Sequence, residues 1–353
     1  AKEHKNTHKT THGTKYYPDT KYSTKASMNK PLISVIITAY NRRQYLKYAI
    51  KSVLNQTIDK DKYEIILIKN FKDPETEALV ERNHGKSIHM EVMSIGAKFA
   101  RGIEESEGEI ITFLEDDDLW HSKKLEQTLR EFNKNDDLIY YHHNVHVINE
   151  DGQMIRDALV ESTNIGKYLK ARTSQEKLAL FKKYGWYLGL RMSSIAIRKD
   201  AYTKYTSIIR LLPDVIDVAI YLLSLAIPGS IIHTSEKLTF FRIHSQSASS
   251  VRLAKGEEKI ARAVRNSVRH AVARHGLITI AKSLTPGISK YVTYDEASII
   301  GGIFANWGRY TAAMAINSMR TCKTTNCIAA AILGIINTLS PTIAKTILMK
   351  YYG

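Results

Sequence analysis

Leu32-Ile33-Ser34-Val35-Ile36-Ile37-Thr38-Ala39-Tyr40-Asn41-Arg42-Arg43 is a run of β-favouring apolar residues that ends in a polar turn. Tyr45-Leu46-Lys47-Tyr48-Ala49-Ile50-Lys51-Ser52-Val53-Leu54-Asn55-Gln56-Thr57 comes next, and the two stretches read as a strand over 32–37 and a helix over 43–56. The same alternation continues: strands over 63–68, around 89–93 and over 109–114 are separated by helices over 74–83 and 96–106. A βαβαβαβ series implies a largely parallel sheet with helices on both faces. Right-handed crossovers then gather the strand C-termini on one rim, the edge at which open α/β sheets bind ligands. The turns at Thr38 to Asn41 and at Lys69 to Asp73, and the residues just past 114, share that rim.

The last of these strands runs into Phe113-Leu114-Glu115-Asp116-Asp117-Asp118-Leu119-Trp120, where it stops abruptly in four acidic side chains. Carboxylates so close repel one another unless a cation lies between them. Two or three oxygen ligands suit Mg²⁺ or Mn²⁺, which keep their other positions for water and substrate phosphates. An acidic loop, or the cap of the next helix, is the alternative.

The strand with its Thr-Ala-Tyr-Asn turn, the helix ending Ser52-Val53-Leu54-Asn55-Gln56-Thr57, and the acidic cluster about seventy-five residues downstream resemble the family 2 glycosyltransferases over roughly residues 31–250. The resemblance implies an α/β fold of the GT-A (Rossmann-like) type and inverting transfer of a hexose-type sugar from a nucleotide-diphosphate donor. It implies that Thr38, Ala39 and Tyr40 flank the base and ribose, with Asn41 and Arg43 of the same turn counted in the donor site. Glu115 would approach the ribose, Asp117 would hold the metal, and Asp116 and Asp118 would assist. Two departures stand out. Lys69-Asn70-Phe71-Lys72-Asp73 replaces the family's Asp-Asp-Gly-Ser, which leaves Asn70 rather than an acid to meet the base. Lys98-Phe99-Ala100 stands where Ala-Arg-Asn is frequent, so the phosphate cation is either Lys98 or Arg101.

Farther on, Pro213-Asp214-Val215-Ile216-Asp217 begins a helix with two acids in its first turns. By resemblance a catalytic Asp opens a helix here; the spacing to Gly229 favours Asp217, with Asp214 second. A carboxylate in that place would take the proton of an acceptor hydroxyl as the new bond forms. Arg242 and His244 lie at period two on one face of a strand, so both can enter one cleft. An arginine suits a diphosphate oxygen, and a neutral histidine can complete a metal's coordination. Between these stretches, the helix over 122–133 has an ordinary core stripe. The strand over 138–148 holds His142, His143 and His146, with no nearby Cys or acid to complete a metal site. Residues 152–183 are polar, as an acceptor-side loop would be.

The chain of 353 residues carries a formal charge of +16, which implies anionic partners. No zinc-finger spacing or RNP-type aromatic motif accompanies that charge, so nucleic acid is not among the expected partners. Residues 1–30 are a polar basic tail whose His4, His8 and His12 recur every four residues, and Met28 is a candidate natural start. The tail lacks the apolar core of a secretory signal. Two cysteines, Cys322 and Cys327, give no disulfide framework, and a reducing, cytoplasmic setting is the default. Residues 251–353 turn helical. Glu257 to Arg274 forms a basic amphipathic stripe, suited either to packing on the main domain or to an anionic membrane surface. The apolar stretch Cys327 to Tyr352 is interrupted by Asn337, Ser340, Pro341 and Lys345, short of the about 20 clean residues of a span.

The expectation is therefore a tail (1–30), a GT-A domain (31–250) and a helical extension (251–353). The activity expected is metal-dependent glycosyl transfer to a glycan, lipid-linked or protein acceptor, at the membrane's inner face if the extension touches lipid. A nucleotidyltransferase, or a nucleotide-sugar binder without turnover, is the rival reading.

Overall fold

The structure is a computed structural model that describes residues 30–92, 94–245, 247, 256–305, 307, 309–319 and 325–352. The tail histidines, Met28 and Cys322 lie outside the described residues.

One sheet organises the chain. Its strands are β1 (Ile33–Ala39), β2 (Tyr63–Lys69), β3 (Lys86–His89), β4 (Ile110–Glu115), β5 (Leu119–Trp120), β6 (Leu138–Ile148), β7 (Leu169–Ala171), β8 (Ile195–Arg198) and β9 (Ser230–Arg242). They lie in the order β3-β2-β1-β4-β8-β6-β9-β5, with β7 also paired to β9. β1 to β4 are parallel, as the βα alternation requires. The rest of the sheet is mixed: β8 runs antiparallel to β4 and β6, β6 is parallel to β9, and β5 and β7 are antiparallel to β9. The expectation of a mostly parallel sheet thus holds for the first half alone. β5, β7 and β8 are two to four residues long, too short for a period-two pattern to announce them. The strand expected around 89–93 lies at Lys86–His89, and the strand expected to carry Arg242 and His244 is the bulged β9, which ends at Arg242 and leaves His244 just beyond it.

Alternate residues of the central strands feed two cores, which is why helices cover both faces. Ile33, Val35 and Ile37 pack with Leu46, Ile50 and Val53 of the helix Leu46–Leu54. Ile36, Ile66 and Ile68 pack with Phe99, Ala100 and Ile103 of the helix Ile95–Glu105. That second helix approaches its neighbours closely: a Cβ on Gly96 would lie 2.1 Å from the carbonyl oxygen of Ile209. Residues 152–183, expected as a loop, contain the short helix Ala158–Glu161, β7, and the helix Ser174–Tyr184, which starts with a Thr173/Glu176 capping box.

The helical extension begins with a helix that packs against the α/β core. Helix Gly256–Leu284 places Leu277, Ile278, Ile280 and Ala281 in the same core as Tyr221 and Ile209, while at Ser267 it meets Gly301 of the following helix Glu296–Phe304, so it packs on both. Its arginines are turned to that purpose: Arg269 donates to the Pro213 carbonyl at 3.1 Å and Arg274 to that of Thr293 at 2.7 Å. Helices Glu296–Phe304, Arg309–Ser318, Thr325–Leu339 and Pro341–Tyr352 build a separate small core around Ile299, Ile300, Ile303, Met314 and Leu348. Pro341 divides the last apolar stretch into two helices, since proline cannot donate within a helix. No helix among the described residues is long and apolar enough to cross a membrane. Cys327 is disulfide-bonded, which departs from the expectation of a reducing setting.

Candidate active site

The C-terminal ends of β1 and β4 lie side by side, with Thr38 paired to Glu115, so the polar turn and the acidic cluster meet as the crossover argument requires. After Glu115 the chain turns, the Asp118 amide donating to the Glu115 carbonyl at 3.2 Å, and enters β5, which pairs with Thr239 and Phe240 of β9. That pairing brings Arg242 and His244 against the acids.

The four carboxylates face different partners. Asp116 forms an ion pair with Arg42, and accepts from the Tyr40 amide at 3.4 Å; it therefore holds the donor turn. Asp117 Oδ2 lies 2.7 Å from Arg42 Nη1 and 3.0 Å from His244 Nε2. Burial pushes Asp117 up, but the hydrogen bond from His244 and the charge of Arg42 outweigh it and hold the carboxyl below its usual range. Asp118 Oδ1 accepts from the Arg242 amide at 2.9 Å and so secures β9, while its Oδ2 is buried with no hydrogen-bond partner among the described residues. Burial raises Asp116 and Asp118 to about 7. Glu115 is raised well above its ordinary value by burial and by Asp117, Asp118 and Asp217.

Arg42, rather than the expected Arg43, is the guanidinium at the centre. Burial alone would lower its pKa; Asp117, Asp116 and Glu115 overcome that and raise it. Arg43 stands aside, with its guanidinium over the Phe71 ring at 5.3 Å. Asn41 lies between strand and arginines with φ of 55°, the left-handed region, and this reversal separates the two arginines. No periodicity signals it.

Three other expectations are revised by partners that sequence cannot show. The Asn70 amide is engaged with Asn41, accepting from its backbone at 2.9 Å and donating to its side chain at 2.6 Å, so it latches the donor turn rather than standing free for a base. Arg242, expected on a diphosphate oxygen, donates instead to the carbonyls of Asp117 (2.8 Å), Asn149 (3.1 Å) and Glu150 (2.8 Å), and its guanidinium lies 4.6 Å from the Tyr45 ring centroid. It braces the acidic loop after β4 against the turn at Asn149 and Glu150. Of the two candidate phosphate cations, Arg101 pairs with Glu105 on the surface at 2.6 Å, whereas Lys98 is buried beneath Tyr40 with its Nζ 4.0 Å from the ring centroid. Lys98 Nζ has no hydrogen-bond partner among the described residues, and burial lowers its pKa to about 8. An unpaired buried ammonium is costly unless something anionic meets it.

Asp217 lies in the first turn of the helix Ile216–Ala226, whose N-cap is Val215 at φ 53°. For a β-branched residue the left-handed region is a genuine outlier, of the kind that clusters at functional sites. Arg191, at φ 68°, donates its amide to Asp217 Oδ2 at 2.8 Å, and Val218 donates to Oδ1 at 2.8 Å. Burial, with a contribution from Asp214, raises Asp217 to about 6, and the two amides keep it from rising further. Asp214 accepts from the Val215 amide at 2.9 Å and so stabilises the unusual cap. His142 bonds His233 and Leu190, and His146 stacks on Phe240; neither joins a metal cluster among the described residues. Met154, Ile155, Arg156, Glu161 and Asn164, with Lys237 of β9, line a cavity of about 680 Å³.

A metal fits part of this arrangement. Two ligands at right angles about 2.1 Å from an octahedral ion stand about 3.0 Å apart, which is the separation of Asp117 Oδ2 and His244 Nε2. Among the described residues no group of three or more His, Cys, Asp or Glu could hold an ion by itself. Magnesium sites of this type take one or two protein ligands and complete their shell with water and phosphate oxygens.

A curled α/β sheet with an acidic cluster at its strand ends defines a GT-A protein, and comparison agrees. Residues 34–197 match the family model described as glycosyl transferase family 2. Through this segment, somewhat under half of the chain, the protein is similar to the family 2 glycosyltransferases. EpsH of Bacillus subtilis (strain 168), named a putative glycosyltransferase, is 32% identical over 117 residues, covering 32% of this chain and 33% of EpsH. RC0461, an uncharacterized glycosyltransferase of Rickettsia conorii, is 34% identical over 135 residues, covering 37% of this chain and 22% of that one. The chain thus matches a third or less of either relative's length. The fold is similar to that of S. aureus TarS 1–349, solved in complex with UDP-GlcNAc, with a TM-score of 0.51 at 13% identity over 90% of this chain and 92% of that chain.

Proposed function

We propose that the chain is an inverting, metal-dependent glycosyltransferase that moves a sugar from a nucleotide-diphosphate donor to an acceptor hydroxyl. The observation that carries this reading is the meeting, on one rim, of the Asp117–His244 pair, the unpaired Lys98 ammonium and the Asp217 carboxylate. Thr38, Ala39 and Tyr40 form the base and ribose side, and Lys98 supplies charge to the diphosphate. Asp117 and His244 would hold Mg²⁺ or Mn²⁺. Such an ion, when bound, stabilises the negative charge on the departing nucleotide diphosphate. Asp217 takes the acceptor proton as the hydroxyl attacks the anomeric carbon, the sugar–phosphate bond breaks, and the nucleotide diphosphate leaves. A thermal-shift screen of nucleotide diphosphates with and without Mn²⁺, with transfer assays on the stabilising donors, tests the reading. Stabilisation without turnover on any acceptor class would favour a donor-binding protein instead.

Base selectivity is expected to be loose. The Asn70 amide is committed to Asn41, and Lys69 Nζ is held by the Phe71 carbonyl at 2.6 Å and by Glu77, so no acid is offered to the uracil N3 proton from this turn. Losing such a charge-assisted bond forfeits about 1.5–3 kcal/mol. Affinities for UDP, GDP and dTDP should fall within about a hundredfold of one another, a gap of roughly 2.7 kcal/mol; a wider preference for UDP overturns this expectation.

Arg42 bears on the ion directly. Its Nη1 lies 2.7 Å from Asp117 Oδ2 and 3.3 Å from His244 Nε2, so its positive charge already occupies the pair's surroundings. Arg42→Ala is expected to raise the affinity for Mn²⁺ alone, without nucleotide, by at least about tenfold, since removing a nearby like charge is worth several kcal/mol at this range. Calorimetric titration with Mn²⁺ checks it, and unchanged affinity would refute the competition.

A further inference from the structure

The last two helices each leave large apolar side chains uncovered. On Thr325–Leu339 the face turned to the small C-terminal core is mainly small or polar: Ala330, Ala331, Gly334 and Asn337. A Cβ on Gly334 would lie 2.8 Å from Ile299, which shows how closely that face is seated. Leu333 and Ile336 pack at the edge of that core, and the remaining large aliphatic residues of the helix are on the outside. Ile328, Ile332, Ile335 and Leu339 recur at spacings of four, three and four, one helical stripe, and Ile343 and Ile347 extend it onto Pro341–Tyr352. These six side chains are between 40% and 84% exposed. A surface helix of a self-contained domain places its bulky apolar residues inward, so this stripe is a contact surface for something else.

Charge identifies what that is. Residues 297–353 contain five Lys and Arg and not one Asp or Glu, within a chain of net charge +16. Lys345 lies between Ile343 and Ile347, where its stem can follow the apolar surface and its ammonium reach outward. The stripe is purely aliphatic, without the Trp, Tyr and Arg anchors that dominate protein–protein contacts. Its setting on two consecutive helices, neither long enough to span, is that of a helix pair lying along an interface. We infer that the stripe Ile328, Ile332, Ile335, Leu339, Ile343 and Ile347 docks on an anionic lipid bilayer, the aliphatic side chains entering the headgroup boundary and the cations meeting the lipid phosphates. The basic stripe of Glu257 to Arg274, the other candidate for such contact, carries Arg269 and Arg274 that are bonded within the protein.

The test is sedimentation of the full chain with vesicles of phosphatidylcholine containing about one third phosphatidylglycerol, beside pure phosphatidylcholine vesicles. Binding to the anionic vesicles is expected to exceed binding to the neutral ones by at least about tenfold and to weaken as salt is raised. Ile332→Asn with Ile335→Asn should lower it at least about tenfold, because two apolar side chains no longer leave water. Lys345→Glu should weaken binding to the anionic vesicles alone. Nucleotide-dependent thermal stabilisation of the double variant reports that the distant α/β domain remains folded. Absence of vesicle binding overturns the inference, as does equal binding by the double variant. So does a concentration-dependent oligomer that the double variant converts to monomer, which would show that a second copy covers the stripe. The glycosyl-transfer reading stands or falls separately, because none of these readouts involves turnover.

Discussion

Asp217→Asn is expected to lower turnover by about 10²–10⁴-fold while donor and Mn²⁺ affinity stay within a few-fold of the wild type. The carboxylate lies in the first turn of Ile216–Ala226, and each of its oxygens accepts a backbone amide, from Arg191 and Val218. Its orientation is therefore set before any acceptor arrives, and burial keeps its pKa near 6, suited to taking a proton at neutral pH. A general base works in its ionised form. In the wild type kcat/KM should accordingly rise with pH through about 6 and level above it, and the variant should lose that limb. Asparagine places an N–H against one of the two amides, so a loss of stability of about 1–3 kcal/mol accompanies the change. Thermal denaturation separates that loss from the kinetic one. An active Asp217→Asn beside an inactive Asp214→Asn would transfer the role to Asp214.

Asp117→Asn should abolish the effect of Mn²⁺ on nucleotide affinity and lower transfer by about 10²-fold or more, the scale of removing one electrostatic stabiliser from a developing anion. Asp117 is the carboxylate held in its charged form by both His244 and Arg42, and it shares with His244 the spacing of two neighbouring metal ligands. The fold should survive, because Asp116 retains its pair with Arg42 and Asp118 its bond to β9. Nucleotide titrations with and without Mn²⁺ decide the matter: a variant whose affinity still responds to the ion would show that Asp117 is not its ligand.

The parts of this site that are legible in sequence are those set by strand ends. β1 and β4 terminate near Thr38 and Glu115, and parallel crossovers oblige those ends to meet. His244 lies two residues past Arg242, just beyond the end of β9, and still meets Asp117. The partner of each side chain is not legible in sequence. Whether Arg42 or Arg43 turns inward depends on the left-handed conformation of Asn41, a local event with no hydrophobic pattern. Arg242 is consumed by three carbonyls from two loops, contacts separated by 92, 93 and 125 residues. Asn70 is closed by Asn41, and Lys98 is separated from Arg101 only by which face of the helix Ile95–Glu105 is covered. The mixed half of the sheet is hidden by the brevity of β5, β7 and β8.

Asn41, Arg191 and Val215 are three of the four non-glycine residues with positive φ among the described residues, and all three flank the rim. Such conformations cost of order 1–3 kcal/mol each. Anyone raising the heat tolerance of this protein would find its most obvious gains at these backbone positions, by substituting glycine or a better-suited residue. Those gains are the wrong ones. Relaxing Asn41 lets Arg42 drift from the acids, and relaxing Arg191 or Val215 frees the carboxylate they aim. Improvement is better sought in remote elements, such as the start of the helix Lys124–Lys134, whose N-cap residue Lys123 supplies no side-chain hydrogen bond.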